Sequence, residues 1–446
     1  MESYAVVGGP PRICSSSLDM APKSPAVGVT ARNLARKLNP SNGGGSNWGF
    51  STGGLRTVKV FGTVSSSSAR FGGVSSENRV SLLWKQQQQR SPVTRRCRET
   101  KVLSTEEVES ASELPGLVKF ITDGVLAPVI GSTPENVARR LADWILLGNK
   151  LSDFLNFGKD GLAEAEVIRL YQYYLPVFFW CLDQLATHRS RFAPGEPIPP
   201  IVIGINAPQG CGKTTVVESL EFLFNSIGRT AVAISVDDFY LTGADQDKLA
   251  ADNQDNGLLK FRGNAGSHDL ELGTETIESL LKLTSKGSKA KVPRYDKAAR
   301  NGLGDRADHS DWSEVEGPVQ VILFEGWMLG YEPQDNDAVT AIDPQLALVN
   351  KNLEGYHDAW HRFINSWMII EVGDPNWVFE WRLEAEVKMR QKGRGGMTDQ
   401  QIADFVSRYI PAYNAYLPSL YSVGPRNSTA DNTLKFSINK ERNPVP

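Results

Sequence analysis

Cysteine is scarce, with four in 446 residues. Cys14, Cys97, Cys181 and Cys211 are too few and too scattered for a disulfide scaffold. No apolar run reaches the length of a membrane span. The longest, "YYLPVFFWCL" at 173–182, is about half a span and contains Pro176, so it reads as a core helix. No internal repeat is visible. Acids are nearly absent from residues 1–98, which hold 14 Lys or Arg against 3 Asp or Glu. The rest of the chain keeps 34 basic and 48 acidic residues of the totals 48 and 51. An acidic body lacks the basic excess that phosphate-backbone binding uses, which argues against a nucleic-acid binder. No membrane partner is expected.

The first 98 residues also lack the periodic apolar positions that would bury a core. They are rich in serine, glycine and arginine ("VSSSSAR", "SNGGGSNWGF") and end in "KQQQQRSPVTRRCRE". Such a stretch is expected to be disordered. No early apolar run of signal length follows a charged start, so a secretory signal is not expected. Serine content and length favour a chloroplast transit peptide over a mitochondrial one, cleaved somewhere in 80–100. A disordered regulatory tail is the plainer alternative. Cys181 and Cys211 would remain in a mature chain of the stroma.

What is present begins with helices. "STPENVARRLADWILLGNKLSDFL" opens on Ser132, Thr133, Pro134 and Glu135, which suit a cap, an early proline and a capping-box acid. A second helix is expected through "LAEAEVIRLYQYYLPVFFWCLDQLATHR", stopped by the prolines of "FAPGEPIPP". Together, residues 99–192 read as a helical extension. From 193 to 446 the texture alternates. Short β-branched runs stand at 201–207, 231–236, 319–324, 367–372 and 433–438. Helical patterns lie near 213–227, 273–284, 345–366, 376–392 and 399–420. The pattern predicts an α/β fold: a parallel sheet of about five strands with helices on both faces.

The first strand runs into "INAPQGCGKTT". This nearly completes the phosphate-loop pattern G-x-x-x-x-G-K-[ST], but Ala207 stands where the first glycine is expected. One extra methyl is harmless there if φ stays negative. Ala207, Pro208, Gln209, Gly210, Cys211, Gly212, Lys213, Thr214 and Thr215 would then wrap the phosphates of ATP. Backbone N–H groups and the helix N-terminus would face the anion. Lys213 would reach the β- and γ-phosphates, and the Thr214 hydroxyl would meet Mg²⁺. Cys211 lies near a helix N-terminus, where a thiolate and reversible oxidation are conceivable. The blander reading is a small residue filling a variable position.

Two strand ends carry acids. "SVDDFYL" puts Asp237 and Asp238 beside the loop, where a carboxylate can take a hydroxyl proton or bind Mg²⁺ through water. Asp238 is the better candidate for a plain helix cap. "VILFEGW" leaves Glu325 at the position of a metal-side acid. "HDAWH" resembles the spacing of a zinc protease, but Asp358 replaces the glutamate and no third ligand is evident. His357 and His361 therefore read as structural histidines on a packed helix.

The set "GKTT", "SVDDFY" and "LFEGW" resembles the P-loop small-molecule kinases of the phosphoribulokinase, uridine kinase and pantothenate kinase group. "FRGNAGSHDLELG" (261–273), "VPRYDKAARNGLGDR" (292–306) and the stretch 373–413 resemble the plant-type D-glycerate 3-kinase branch. The resemblance spans roughly 105–446. It implies phosphorylation of D-glycerate by ATP to 3-phosphoglycerate, the closing step of the photorespiratory carbon cycle. It also implies that Asp237 is the general base, that Glu325 acts on Mg²⁺, and that a lid at about 376–396 closes arginines over ATP. Arg382, Arg390 and Arg394 are the candidates. Glycerate carries a carboxylate, so its pocket needs a cationic donor. Arg262, His268, Arg294, Lys297 and Arg306 qualify, with Asp269 for a hydroxyl and Asp296 to orient a neighbouring cation. A monomer is expected. A uridine, pantothenate or sugar-phosphate kinase, or a P-loop switch or assembly ATPase, are the competing readings.

Overall fold

The structure, a computed structural model, describes residues 114–159, 161–391 and 398–446. The expected leader, Cys14, Cys97 and Arg394 lie outside the described residues. Ten strands form among those described: β1 (Ile201–Asn206), β2 (Ala231–Ser235), β3 (Lys289–Val292), β4 (Tyr295–Asp296), β5 (Asp305–Arg306), β6 (Ser313–Glu316), β7 (Val321–Gly326), β8 (Ser366–Val372), β9 (Thr433–Ile438) and β10 (Pro444–Val445).

Six of them make one sheet in the order β10-β9-β8-β1-β7-β2. The five expected runs pair in parallel, and β10 adds an antiparallel edge against β9. Every residue of β1 is buried, and β7 and β8 are nearly so. Side chains alternate between faces along a strand, so helices must cover both. β1 sits between β7 and β8, where the chain switches sides of the sheet. Ligands of such sheets bind outside the carboxyl ends at that switch.

The N-terminal helices join the same core. Thr133 caps the helix Pro134–Arg139, with Pro134 in its first turn. The reciprocal capping partner is Asn136 rather than Glu135, because N3 is the position whose side chain reaches back to the cap. The expected single helix breaks at Arg140, and a second segment runs Leu141–Leu155. The next helix also divides: Glu164–Ile168, a π-helical turn Arg169–Tyr174, then Leu175–Arg189. Pro176 explains the π turn, since proline donates no N–H and its ring crowds the carbonyl four residues back. Phe178 of this helix packs edge-on against Phe224 at 4.9 Å between centroids. Phe224 lies on Lys213–Ser226, the helix that follows the phosphate loop. No helix among the described residues is long and apolar enough to cross a membrane.

The expected helix 345–366 is the largest departure. It becomes Leu346–Leu353, Tyr356–Ala359 and a 3₁₀ turn His361–Phe363, and Ser366 already begins β8. Trp360 leaves the helical region at φ −128°. Phe178 is fully buried, so Phe178→Ala should destabilise the protein by about 3–5 kcal/mol, as large-to-small core changes do. Denaturant unfolding measures this; a loss below about 1 kcal/mol would mean that the N-terminal helices are not part of the core.

Candidate active site

Register brings the functional groups level. Ile205 of β1 pairs with Glu325 of β7, which pairs in turn with Ser235 of β2. The ends of the three strands therefore open on one edge, with Lys213 two turns of loop beyond β1. Lys213 Nζ lies 3.2 Å from Glu325 Oε2, both largely buried. Burial alone would lower the lysine pKa, but Glu325, Cys211 and Asp237 outweigh it and hold the ammonium form.

The loop itself is held open by its glycines. Gly210 and Gly212 adopt φ of 81° and 94°, a region costly for other residues. A Cβ on Gly210 would also stand 2.7 Å from Trp381 Cβ. The non-glycine residues at positive φ among those described are Asn156, Arg300, Asn301 and Arg442. Ala207 is not one of them, so its methyl brings no backbone strain. Gln209 N–H donates to Tyr413 Oη at 3.1 Å. Arg442 spans the loop from outside: its Nε donates to the Gly210 carbonyl at 2.7 Å and a terminal nitrogen pairs with Glu384 at 2.9 Å. Its guanidinium stacks over Trp381, 5.1 Å from the ring centroid. Thr214 is exposed at the start of the helix. Cys211 is only 1% exposed, and burial raises its thiol pKa. Burial outweighs the pull of Lys213, which favours the plain reading of Cys211 as a small filler.

Beyond β2, the 3₁₀ turn Val236–Phe239 presents the two acids in different ways. Asp238 accepts the Ser235 N–H at 3.2 Å and caps the turn. Its burial pushes its pKa up to about 6 against the pull of Arg294, 3.6 Å away. Asp237 instead meets Lys297 Nζ at 2.5 Å. Burial alone would raise its pKa, but Lys297, Lys213 and the Tyr240 hydroxyl prevail and keep it below the usual range. Backbone bonds then staple the next segment to it: Leu241 N–H to Ser267 O at 3.0 Å, and Asp269 N–H to Phe239 O at 2.7 Å. They stack the His268 ring on Tyr240 at 4.7 Å. Arg306 donates to the Tyr240 carbonyl at 3.0 Å and to Asp269 Oδ2 at 2.9 Å, while its own Nε is buried without a partner.

The expected glycerate set therefore divides. Asp237, Lys297, His268, Arg306 and Asp269 come together. Arg306 and Lys297 arrive through β4 and β5, an antiparallel pair inside a segment whose sequence reads as loop. Burial brings the His268 pKa down to about 4, so His268 is a neutral hydrogen-bonding group and not the cation expected. Arg262 donates to the carbonyls of Gly302 and Leu303 and braces that segment. Arg294 bonds Ser313 and Asp238. Asp296 accepts the Ala298 N–H at 2.8 Å and shapes its own turn, orienting no cation. Arg382 pairs with Glu386, and Arg390 with Asp399 across to the next helix. Tyr240, Trp381, Tyr413 and Arg442 were not singled out in the sequence. Tyr240 had a signal, as the tyrosine of "SVDDFY", and Trp381 and Tyr413 lay within the stretch 373–413; Arg442 had none.

The two histidines of "HDAWH" do acquire a third neighbour, Glu332. Its Oε1 lies 3.6 Å from His357 Nδ1 and 3.7 Å from His361 Nδ1, and the three groups are close enough to hold a cation. The tautomer decides against it. Gly330 N–H donates to His361 Nε2 at 3.1 Å, so that nitrogen is bare and the neutral ring carries its proton on Nδ1. A protonated nitrogen cannot ligate a metal, but it can face Glu332, whose other oxygen holds Arg426 at 2.7 Å. The histidines are structural, although not on one continuous helix.

Gly210→Ala should lose about 1–3 kcal/mol of stability through its strained φ and weaken ATP binding with it. Ala207→Gly should change stability by no more than about 1 kcal/mol and leave ATP affinity unchanged. Thermal unfolding and nucleotide titration read both, and equal behaviour of the two variants would refute this account of the loop.

The geometry has close counterparts. A model of the phosphoribulokinase / uridine kinase family matches residues 202–351. The chain is 51% identical over 352 residues to the chloroplastic D-glycerate 3-kinase of Arabidopsis thaliana, covering 79% of this chain and 76% of that one. It is 32% identical over 268 residues to an uncharacterized kinase of Schizosaccharomyces pombe, covering 57% of this chain and 95% of the relative. The solved structure of D-glycerate 3-kinase from Cryptococcus neoformans var. grubii aligns with a TM-score of 0.55 at 33% identity, covering 61% of this chain and 97% of that one. Phosphate loop, strand-end acids and these likenesses agree: the chain belongs to the phosphoribulokinase and uridine kinase family, within its D-glycerate 3-kinase group.

Proposed function

We propose that this kinase transfers the γ-phosphoryl group of ATP to the primary hydroxyl of D-glycerate, giving 3-phospho-D-glycerate and ADP. The observation that carries this reading is the Asp237–Lys297 pair at the sheet edge beside Lys213. A carboxylate and a cation adjoin the place where the γ-phosphate ends. In the reaction the hydroxyl oxygen bonds to the γ-phosphorus while the bond to the β–γ bridging oxygen breaks. The hydroxyl proton passes to Asp237, and the negative charge left on the departing ADP is balanced by Lys213. A low carboxylate pKa is tolerable because a loose transition state asks little of the base. The Asp237 carboxylate then acts mainly to hold the hydroxyl in line.

Lys297 and Arg306 are placed to take the substrate carboxylate, and Asp269 to accept a hydroxyl. When glycerate enters, Lys297 can exchange the Asp237 carboxylate for that of the substrate. The Arg306 Nε–H, buried and unpaired, finds an acceptor there as well. The Thr214 hydroxyl and Glu325 are hard oxygen donors suited to Mg²⁺, which when bound neutralises charge on the β- and γ-phosphates. Arg382, Arg390 and Arg394 belong to the proposed lid at 376–396.

We further propose that residues 1–98 address the chain to the chloroplast stroma, where it acts as a monomer in photorespiration. Residues 99–192 then form the helical extension and 193–446 the kinase domain. The chloroplastic Arabidopsis relative supports the address. Residues 1–98 fused to a fluorescent protein should carry it into chloroplasts; a cytosolic signal would remove this part of the proposal.

The decisive assay couples ADP release to D-glycerate on protein lacking about the first 95 residues. The product should be the 3-phosphate. Release of 2-phosphoglycerate, or equal turnover of uridine or pantothenate, would overturn the reading. Asp237→Asn should lower kcat by about 10²–10⁴-fold with the KM for ATP changed less than about twofold. Nearly normal kcat would take Asp237 out of the reaction.

A further inference from the structure

The neutral His268 has a definite proton. Its ring is 5% exposed, with Nδ1 2.7 Å from Tyr356 Oη and Nε2 buried without a partner. Gly266 N–H donates to the same Tyr356 oxygen at 3.1 Å. Two arrangements satisfy that geometry. If His268 Nδ1–H donated to Tyr356, the tyrosine would accept twice. Its own proton would then be buried unpaired, and the bare Nε2 would be unpaired too. If Tyr356 accepts from Gly266 and donates to Nδ1, only one group is left over, the His268 Nε2–H. Each unsatisfied buried group is costly, so the second arrangement prevails.

The remaining N–H belongs to a ring stacked on Tyr240 at 4.7 Å, and the Tyr240 hydroxyl helps to hold the Asp237 carboxylate charged. The charge of Asp237 is felt at His268. A fixed, desolvated donor next to the acceptor-activating carboxylate is suited to an uncharged oxygen of the substrate. Sites built to bond a hydroxyl reject analogues that lack it far more strongly than apolar pockets can. Trp360 and Tyr356 pack edge-on against the ring, at 5.6 and 5.7 Å between centroids.

We propose that His268 donates its Nε2–H to a glycerate hydroxyl, and that Tyr356 is the positioning residue that fixes this tautomer. The idea rests on the glycerate reading above, but its first test needs no substrate. In ¹⁵N-histidine-labelled protein the ring correlation pattern of His268 should show a protonated Nε2 and a bare Nδ1. Tyr356→Phe keeps the ring and removes the hydroxyl, and should let both tautomers appear. In that variant the KM for D-glycerate should rise by about tenfold or more, the scale of losing one oriented hydrogen bond, while the KM for ATP stays within about twofold. His268→Gln, which can place an N–H near the same point, should retain more glycerate affinity than His268→Leu. A protonated Nδ1 in the wild type, an unchanged glycerate KM in Tyr356→Phe, or equal loss in the two His268 variants would each overturn the proposal. Failure of the glycerate reading shows differently, as a wild-type enzyme that ignores glycerate.

Discussion

The contact between Lys213 and Glu325 is the constraint on which the rest of the site depends. A largely buried ammonium and a largely buried carboxylate cannot be held 3.2 Å apart by flexible loops. They are held by parallel register: β1 delivers the loop, β7 delivers the acid, and hydrogen bonding between adjacent strands keeps their ends level. The same register sets Ser235 opposite Glu325, and so fixes where the 3₁₀ turn bearing Asp237 must start. The two opposite charges neutralise one another.

The acceptor side is built on a different principle. Its groups come from segments with little regular structure, tied together by single backbone bonds and by side chains that grip carbonyls. Arg262 grips Gly302 and Leu303, Arg306 grips Tyr240, and the Tyr240–His268 stack closes the set. Such a surface can be respecified for another acceptor by changing a few loop residues, while the phosphate side stays fixed. That division fits a family whose members share a nucleotide and differ in what they phosphorylate.

The sheet was legible because its five parallel strands read as short β-branched runs, three of them buried nearly throughout, and the loop because its glycines and lysine have no other common use in that order. The acids were legible for the same reason, as polar residues directly after apolar strands. Tertiary effects hid the rest. Nothing in the local sequence tells that Trp360 turns the chain out of a helix so that Ser366 can begin β8. The π turn before Pro176 is a local answer to proline, but periodicity alone reads through it. His268 counted as a cation because burial depth is not a property of the sequence around it. Glu332 lies 25 residues before His357, so their meeting depends on the fold alone. Arg442 stands among residues of no evident motif.

That last residue reaches back to the phosphate loop from far along the chain. The guanidinium that spans the Gly210 carbonyl and Glu384 comes from 232 residues downstream of the loop. During synthesis, the strand, loop and helix of the nucleotide site emerge well before the arginine that braces them. A partial product ending between residues 215 and 442 would carry every residue of the phosphate motif and still lack its outer clamp. The phosphate loop is therefore written in one stretch of sequence but clamped only once a residue 232 positions downstream has been made.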